Sequence, residues 1–154
     1  MNDTDKNLAL GFSFIRIETE QFATVEEAFV EHTKDIKFNS SIGFAAAQDN
    51  TVIRVRARFQ YEQKSEAPFL IIAAHCDFKL TEEAWQQLHN DADNIITLPL
   101  GFASHLALLT IGTVRGILHE KTVNTKFNKF ILPTINLSER IKEDVVIDLN
   151  EEKE

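Results

Sequence analysis

Hydrophobic and polar residues alternate along the first half of the chain, a period of two that predicts β-strands. FSFIRIETEQF (12–22) is rich in β-branched and aromatic residues and predicts the first strand, and a second alternation runs from Ile36 to Phe44. The clearest one, TVIRVRARFQY (51–61), places apolar side chains on one face and arginines on the other. FLIIAAHCDFKL (69–80) is apolar on both faces, which predicts a central strand or one whose second face meets a partner. Short connections between these strands predict antiparallel neighbours in a four-stranded sheet.

The second half of the chain predicts helices. Thr81 suits the N-cap of a short helix in TEEAWQQLHN (81–90), and Pro99 and Gly101 precede a longer helix at about 103–119. After it, large apolar residues surround Pro133 in NTKFNKFILPTINLSERI (124–141). Ser138 can cap a further helix, yet VVIDL (145–149) favours a strand or an extended arm. Strands followed by helices indicate an α+β domain.

Composition and charge favour a globular domain and argue against nucleic acid and membranes as partners. With 154 residues, 44% of them hydrophobic, the chain fits one globular domain over 1–154, with polar ends at about 1–8 and 149–154 that we expect to be flexible. A formal net charge of -8 argues against nucleic acid or an anionic membrane surface as partner, because clustered Lys and Arg hold those partners. No apolar run approaches the roughly 18 residues of a membrane span, and no basic leader precedes an apolar core. These features favour a cytoplasmic protein without membrane insertion.

The long helix contains two residues that weaken it. Gly112 and Gly116 lie four residues apart on one face, and each costs about 1 kcal/mol relative to alanine in a helix interior. Small residues at this spacing let a second backbone approach, either this chain's own sheet or the same helix of another subunit. The sequence leaves both interpretations open. With Leu106 and Leu109 these glycines form a candidate oligomer interface.

Residue types used in catalysis occur, but not in catalytic spacings. In HCD (75–77), His75 and Asp77 share one face of a strand while Cys76 points the other way, so we interpret Cys76 as a core residue. It is the only cysteine, which excludes an internal disulfide. The other histidines lack the spacing of metal ligands, and phosphate-loop and nucleophile-elbow motifs are absent. We therefore predict neither an enzyme nor a cofactor nor a metal.

The arginine row and the phenylalanines are more informative. The row Arg54, Arg56 and Arg58 could bind an anionic ligand, or it could be a solvated face paired with acids such as Glu62 and Glu66. The chain has 12 phenylalanines but one tryptophan and one tyrosine, a composition suited to apolar contact surfaces without polar groups.

The order of these features resembles the SecB family of protein-export chaperones. TVIRVRARFQYEQKSEAPFLIIAAHCDFKL (51–80) is similar to the family's third and fourth strands with their loop, and FNKFILPTINL (127–137) stands where the family has a loop of the type R-G-x-F-P-x-L-x-L-x-P-V-N-F. Pro133 is one place off that pattern. The residues that match are Arg16, Ile17 and Thr19 in the first strand and Phe127, Asn136 and Leu137 in the loop. The resemblance covers about 12–141.

The resemblance implies that a crossing loop follows the long helix and helps to wall an apolar groove for unfolded polypeptide. It also implies a homotetramer arranged as a dimer of dimers. Apolar residues clustered around Pro133 suit such a wall, because a rigid loop loses less entropy on binding. The export chaperones present acidic residues to the SecA motor on the surface of their sheet. At those positions this chain has Gln21, Val25 and Ile72, none of them acidic, which argues against docking to SecA.

The leading functional hypothesis is an ATP-independent holdase, in protein export or elsewhere, that binds unfolded or precursor polypeptides through apolar grooves. One alternative is an adaptor of the same fold that binds one specific protein, including the type that guards an antitoxin. A second alternative is a small-ligand enzyme that uses His75 or the arginine row. The candidate polypeptide-binding residues are Phe38, Phe44, Phe59, Phe78, Trp85, Phe127 and Phe130.

Overall fold

The alternating segments assemble into one antiparallel sheet. The structure, a computed structural model, describes residues 10–31, 35–63 and 67–150. The sheet has four strands in the order β1-β4-β3-β2. Their bounds are β1 Phe12–Thr24, β2 Lys37–Ala47, β3 Val52–Glu62 and β4 Pro68–Leu80. The predicted α+β class and four-stranded antiparallel sheet are confirmed, and β4, the segment that is apolar on both faces, is a central strand.

The two predicted helices follow the sheet. Helix α1 spans Glu82–Leu88, and the hydroxyl of Thr81 accepts a hydrogen bond from the Ala84 N–H at 3.2 Å, so the predicted N-cap is confirmed. Helix α2 spans Leu100–Thr122 and is longer at both ends than the predicted 103–119. Its first N–H groups lack a local cap, but the carboxylate of Asp144 accepts a hydrogen bond from the Leu100 N–H at 2.9 Å. The end of the chain therefore caps the start of α2.

A second, smaller sheet was not predicted. Its strands are β5 His89–Asn90, β6 Ile95–Leu98 and β7 Val145–Asp148, in the order β5-β6-β7. Of the two conformations that VVIDL favoured, a strand or an extended arm, the structure has the strand, β7. Leu149, which follows it, donates a backbone hydrogen bond to the carbonyl of Asn94 at 3.0 Å. Helix α3, Leu137–Arg140, precedes β7. The expectation that Ser138 caps it was wrong, because the side chain of Asn136 is the cap and accepts from the Ser138 N–H. The predicted flexible ends lie mainly outside the described residues.

The core lies between the large sheet and α2, which packs on β3 and β4. We call the face of the large sheet that α2 covers its inner face and the opposite one its outer face. Inner-face residues of β3 such as Ile53, Val55 and Phe59 are fully buried. By length and composition α2 could cross a membrane, but core helices of soluble proteins meet the same criterion. One side of α2 is buried against the sheet, through residues that include Ala103, Leu106, Ala107, Ile111, Val114 and Leu118.

Candidate functional site

Aromatic rings form a continuous cluster beneath the segment that follows α2. Separations between ring centroids run from 4.8 Å for Phe29 and Phe69 to 6.2 Å for Phe69 and Phe127. The members are Phe29, Phe38, Phe59, Tyr61, Phe69, Phe127 and Phe130. Only Phe38 and Phe130 are partly exposed, so they form the rim of the cluster.

The crossing loop, residues 123–136, is attached to both the sheet and the helix. The hydroxyl of Tyr61 donates a hydrogen bond to the carbonyl of Ile131 at 3.2 Å. The guanidinium of Arg115 on α2 donates to the carbonyls of Leu132, at 3.1 Å, and Pro133, at 3.2 Å. Leu132 is buried beneath the loop, whereas the side chain of Ile131 is 64% exposed. The loop is thus held in place and presents an apolar side chain outward, as the wall of a groove would.

An open trough runs along β2, and we call it the β2 trough. Its cavity has a volume of about 650 Å³, with β2 residues 40–44 on one side and residues 140–145 of the C-terminal segment on the other. Ile42 and Phe44 on its floor are only partly buried. Arg140 reaches across and donates hydrogen bonds to the carbonyl of Ser40, at 3.2 Å, and to the Ser40 hydroxyl. The trough therefore combines apolar side chains with the backbone of an edge strand.

The structure corrects four of the seven predicted polypeptide-binding residues. Phe59, Phe78 and Phe127 are at most 2% exposed, and Trp85 is 5% exposed, so these side chains belong to the core of the subunit and cannot line a groove. The remaining candidates, Phe38, Phe44 and Phe130, are partly exposed. Phe44 lines the β2 trough, while Phe38 and Phe130 lie at the rim of the aromatic cluster.

The predicted residues of the oligomer interface also include both buried and exposed ones. Leu106 is fully buried against the sheet and cannot reach another subunit, so that assignment was wrong. Leu109 is partly buried, and Gly112 and Gly116 are exposed. A Cβ atom built on either glycine would meet no atom within 4 Å. Close packing within one subunit therefore does not explain these glycines.

Sequence reasoning missed a set of exposed apolar side chains. On β1, Phe14 is 40%, Ile15 51% and Ile17 54% exposed. Helix α2 packs mainly on β3 and β4 and reaches β1 near its two ends, at Phe12 and Phe22. On α2, Leu108 is 55% exposed. A helical projection would have found Leu108, since the core-facing positions of α2 lie on the opposite side. The exposure of β1 depends on the position of α2, which no local pattern specifies.

The HCD triplet is divided between the two faces as predicted, and its acid is engaged by the arginine row. The guanidinium of Arg54 donates to Asp77 through Nε, at 2.8 Å, and through Nη2, at 3.0 Å. This pair of hydrogen bonds lowers the pKa of Asp77 by more than its burial raises it. Cys76 lies in the core, where burial raises the pKa of its thiol. The thiol is therefore neither accessible nor activated as a nucleophile.

A second charged group joins β1 to the central strands on the outer face. The Nδ1–H of His75 donates to a carboxylate oxygen of Glu20 at 2.6 Å, and the Nε of Arg56 donates to the same carboxylate at 2.9 Å. Burial raises the pKa of Glu20, but these hydrogen bonds and the charge of Arg56 outweigh it, so the net shift is downward. His75 Nε2 is buried without a hydrogen bond, 3.6 Å from Glu18. This arrangement links β1 to β3 and β4 on the outer face, and the imidazole within it is only 4% exposed.

Acids pair with two members of the arginine row, Arg54 with Asp77 and Arg56 with Glu20, as the interpretation of a solvated, paired face expected. Glu62 accepts hydrogen bonds from Asn39 and Gln60, and Glu66 lies outside the described residues. Arg58 donates to the side-chain oxygen of Gln60 at 2.5 Å. Within the described ranges, no group of three or more His, Cys, Asp or Glu residues could hold a metal ion. The polar residues of the outer face thus form a network of ion pairs and hydrogen bonds.

No protein-family model, curated protein or solved structure matches this chain. The resemblance to SecB therefore stays a prediction from the sequence.

Proposed function

We propose that this protein is an ATP-independent chaperone of the cytoplasm that holds non-native polypeptide in the β2 trough. One observation carries the proposal: the edge strand β2 has half-exposed apolar side chains next to an open cavity of about 650 Å³. Monomeric proteins usually blunt the edges of their sheets with charged side chains or bulges. Between Phe38 and Ala47, β2 has neither a charged residue nor a break in its pairing with β3. Such an edge is suited to receive another chain.

The geometry favours an extended client. The side chains of Phe38, Ile42 and Phe44 point to the same face because residues of a strand alternate with a period of two. A polypeptide that runs along the free edge of β2 would form backbone hydrogen bonds with it and place every second side chain in the trough. Apolar client side chains would contribute about 25 cal/mol per Å² of surface buried. Backbone recognition requires no particular client sequence, which suits a holdase for many non-native chains.

The C-terminal side of the trough gives it little preference for the charge of a client. Arg140, Lys142, Glu143 and Asp144 line it, so the two cations and two anions roughly balance. Selection would therefore rest on apolar side chains and an extended backbone. Non-native and precursor chains have both features, whereas most folded proteins hide their apolar residues.

The resemblance to SecB adds two parts to the proposal. It supports the crossing loop as an extension of the client site beyond the lining of the trough, because Phe130 is partly exposed and Ile131 64% exposed there. It also supports a homotetramer built as a dimer of dimers, with α2 at a subunit contact. Of the positions expected to replace acidic residues on the sheet surface, Gln21 and Val25 are exposed and argue against SecA as a partner. Ile72 is 1% exposed and belongs to the core, so its assignment to that surface was wrong. A role outside protein export fits Gln21 and Val25 better.

Suppression of aggregation tests the proposal. Several unrelated unfolded proteins are diluted from denaturant with a stoichiometric amount of this protein and without nucleotide, and light scattering is followed. We expect lower scattering for most clients. Protection of none would refute the holdase role. Protection of a single partner, or binding to one folded protein, would favour the adaptor instead.

A crosslinking experiment locates the site. A photoreactive amino acid replaces Phe44 in the β2 trough or, as the matched control, Phe14 on β1, which is similarly apolar and 40% exposed. Unfolded polypeptide should crosslink at position 44 and much less at position 14. The reverse pattern would move the client site to the β1 edge.

A further inference from the structure

An extended client in the β2 trough would place only every second side chain there. The others would lie on the outer face of the sheet, because successive side chains of a strand point to opposite faces. The outer-face residues in the middle of β2 are uncharged and mostly small: Asn39, Ser41, Gly43 and Ala45. The charges that the outward side chains of a client meet therefore come from the next strand, β3.

β3 carries the arginine row on the same outer face, directly beside these small residues. In the register of the two strands, Ser41 lies opposite Arg58 and Gly43 lies opposite Arg56. A Cβ atom built on Gly43 would meet no atom within 4 Å, so the outer face is open at this point of β2. A client strand on the free edge of β2 would lie two strand spacings, about 10 Å, from β3. An arginine of β3 and an acidic side chain of the client are together long enough to meet above the small residues.

The three arginines of the row are not equally neutralised. Arg54 and Arg56 form ion pairs with carboxylates of β4 and β1, which lie on the side of β3 away from β2. Arg58 forms no ion pair with any residue of the described ranges, and its guanidinium donates to the uncharged side chain of Gln60. The side chain of Arg58 is partly buried, so water screens its charge less than that of a fully exposed cation. In a chain with a net charge of -8, this cation has no counter-charge among the described residues.

Glu62, the acidic residue of β3, does not neutralise Arg58. It lies four residues further along the strand, a distance of about 13 Å. In the register with β2 it stands opposite Lys37, which balances its charge. Its carboxylate accepts hydrogen bonds from the amides of Asn39 and Gln60.

We propose that Arg58 gives the client site a preference for extended chains in which an acidic residue alternates with apolar ones. The inference rests on the proposed function, because it concerns a client strand that is paired with β2. The apolar side chains of such a client enter the trough. Its acidic side chain lies on the outer face, where the carboxylate pairs with the guanidinium of Arg58.

The backbone of β2 favours this contact. The carbonyl of Ser40 accepts a hydrogen bond from Arg140, so the backbone groups of Ser40 are directed to the free edge. Those of Ser41 and Gly43 then point to β3, because the direction alternates along an antiparallel strand. An antiparallel client residue opposite either of them would form a non-hydrogen-bonded pair, in which the two strands approach most closely. The outward side chain of the client is therefore brought as near to the arginine row as a paired strand allows.

Three labelled peptides test the preference. Each has blocked ends and alternates apolar residues with serine, except that one central outward position is glutamate, glutamine or lysine. Fluorescence anisotropy measures the dissociation constants at physiological ionic strength, where charges more than about 8 Å apart are largely screened. The glutamate peptide should bind about five- to tenfold more tightly than the lysine peptide, with the glutamine peptide between them. The net charge of -8 alone would favour lysine, so this order can only come from a local cation.

Substitutions beside the β2 edge identify that cation. Arg58→Gln should bring the three dissociation constants within about twofold of one another, whereas Arg58→Lys keeps a charge and should keep the order. Ser41→Glu, at an exposed position opposite Arg58, supplies the counter-charge from the chain itself and should also remove the preference. Lys79→Gln is the matched control, because it removes the same charge from an exposed outer-face position on β4 and should leave the preference unchanged. Circular dichroism confirms that each variant is folded.

The possible results separate this inference from the proposed function. If none of the three peptides binds, the β2 trough is not a client site and the inference falls with it. Binding without a preference, or a preference for lysine, would overturn the inference alone. A preference for glutamate that survives both Arg58→Gln and Ser41→Glu, or that Lys79→Gln removes equally, would also overturn it.

Discussion

The two edge strands of the large sheet are protected differently. β1 breaks its register with β4 between Phe14 and Arg16 and again between Thr19 and Gln21. β2 pairs with β3 without a break from Lys37 to Ala47. β1 also carries charged residues between its exposed apolar ones, whereas β2 carries none beyond Lys37. Bulges and charges discourage the addition of another strand, so β1 is the closed edge and β2 the open one.

This difference shows that exposed apolar area alone does not identify a binding edge. β1 has the more exposed side chains, Ile15 and Ile17 among them. Ionic contacts such as that of Arg16 with Glu18, at 2.6 Å, run along the same strand and would have to be desolvated by an incoming chain. The apolar residues of β2 are less exposed but lie side by side next to a cavity. Continuity of the apolar side chains and a regular backbone distinguish the β2 edge.

The largest expected effect concerns the layer beneath the open edge. Phe59 is fully buried and its ring stacks on that of Phe38 at 5.8 Å between centroids. Phe59→Ala should lower the free energy of unfolding by about 3–5 kcal/mol, because it leaves a cavity in the core. Chemical denaturation measures the loss. Phe14→Ala, at the exposed edge, should cost about 1 kcal/mol or less. Equal losses would mean that the β1 and β2 edges are supported alike.

The next largest effect on the free energy of unfolding should come from the ion pairs of the closed edge, β1. The carboxylate of Glu20 on β1 binds His75 and Arg56, and its pKa is lowered in the folded protein. A lowered pKa stabilises the fold above the pKa of an unfolded glutamate, about 4.3, and this contribution disappears as the pH falls through the lower folded pKa. Glu20→Gln should therefore cost about 1–2 kcal/mol at neutral pH.

The pH dependence distinguishes the charge from the shape of that side chain. A protonated Glu20 resembles glutamine, so the difference in unfolding free energy between the two proteins should vanish in acid. Denaturation curves recorded at several pH values test this. A difference that persists at low pH would show that the carboxylate's charge is not what holds β1.

The sequence predicted most of the large sheet because its signal is local. Alternation in 51–61 and the two-sided apolar run in 69–80 identified β3 and the central strand β4 without any tertiary information. The cap of α1 was equally local, since Thr81 and Ala84 are near neighbours. Where a pattern of a few residues determines the structure, the prediction was confirmed.

The small sheet and the exposure of individual residues could not be predicted in this way. β6 pairs with β7 although α2, the crossing loop and α3 lie between them in the chain. Asp144, also after these segments, caps the helix that begins at Leu100. Phe59 and Phe44 lie on neighbouring strands with similar local patterns, yet one is in the core and the other in the trough. The difference arises because α2 and the crossing loop cover β3, whereas β2 faces only the C-terminal segment across the trough. Only the placement of distant segments decides it.

Charge placed on each edge tests the comparison directly. Phe44→Glu puts a carboxylate on the floor of the β2 trough and should weaken binding of an unfolded client about tenfold, or about 1.4 kcal/mol. Phe14→Glu makes the same change on β1 and should leave the client's dissociation constant within about twofold. Fluorescence anisotropy of a labelled unfolded peptide measures both, with circular dichroism to confirm folding. If Phe14→Glu has the larger effect, β1 and not β2 is the receptive edge.

The smallest effect should come from the side chain that crosses the trough. The guanidinium of Arg140 donates to the carbonyl and hydroxyl of Ser40, so it occupies backbone hydrogen-bonding capacity that a client strand would need on β2. Arg140 is exposed, and an exposed contact of this kind is worth about 1 kcal/mol or less. Arg140→Ala should therefore strengthen client binding about two- to fivefold, because the client no longer competes with the side chain. Lys142→Ala removes the same charge from the lining of the trough without a contact to Ser40 and should not strengthen binding. Equal gains for both variants would mean that positive charge, and not occupation of the β2 edge, limits client binding.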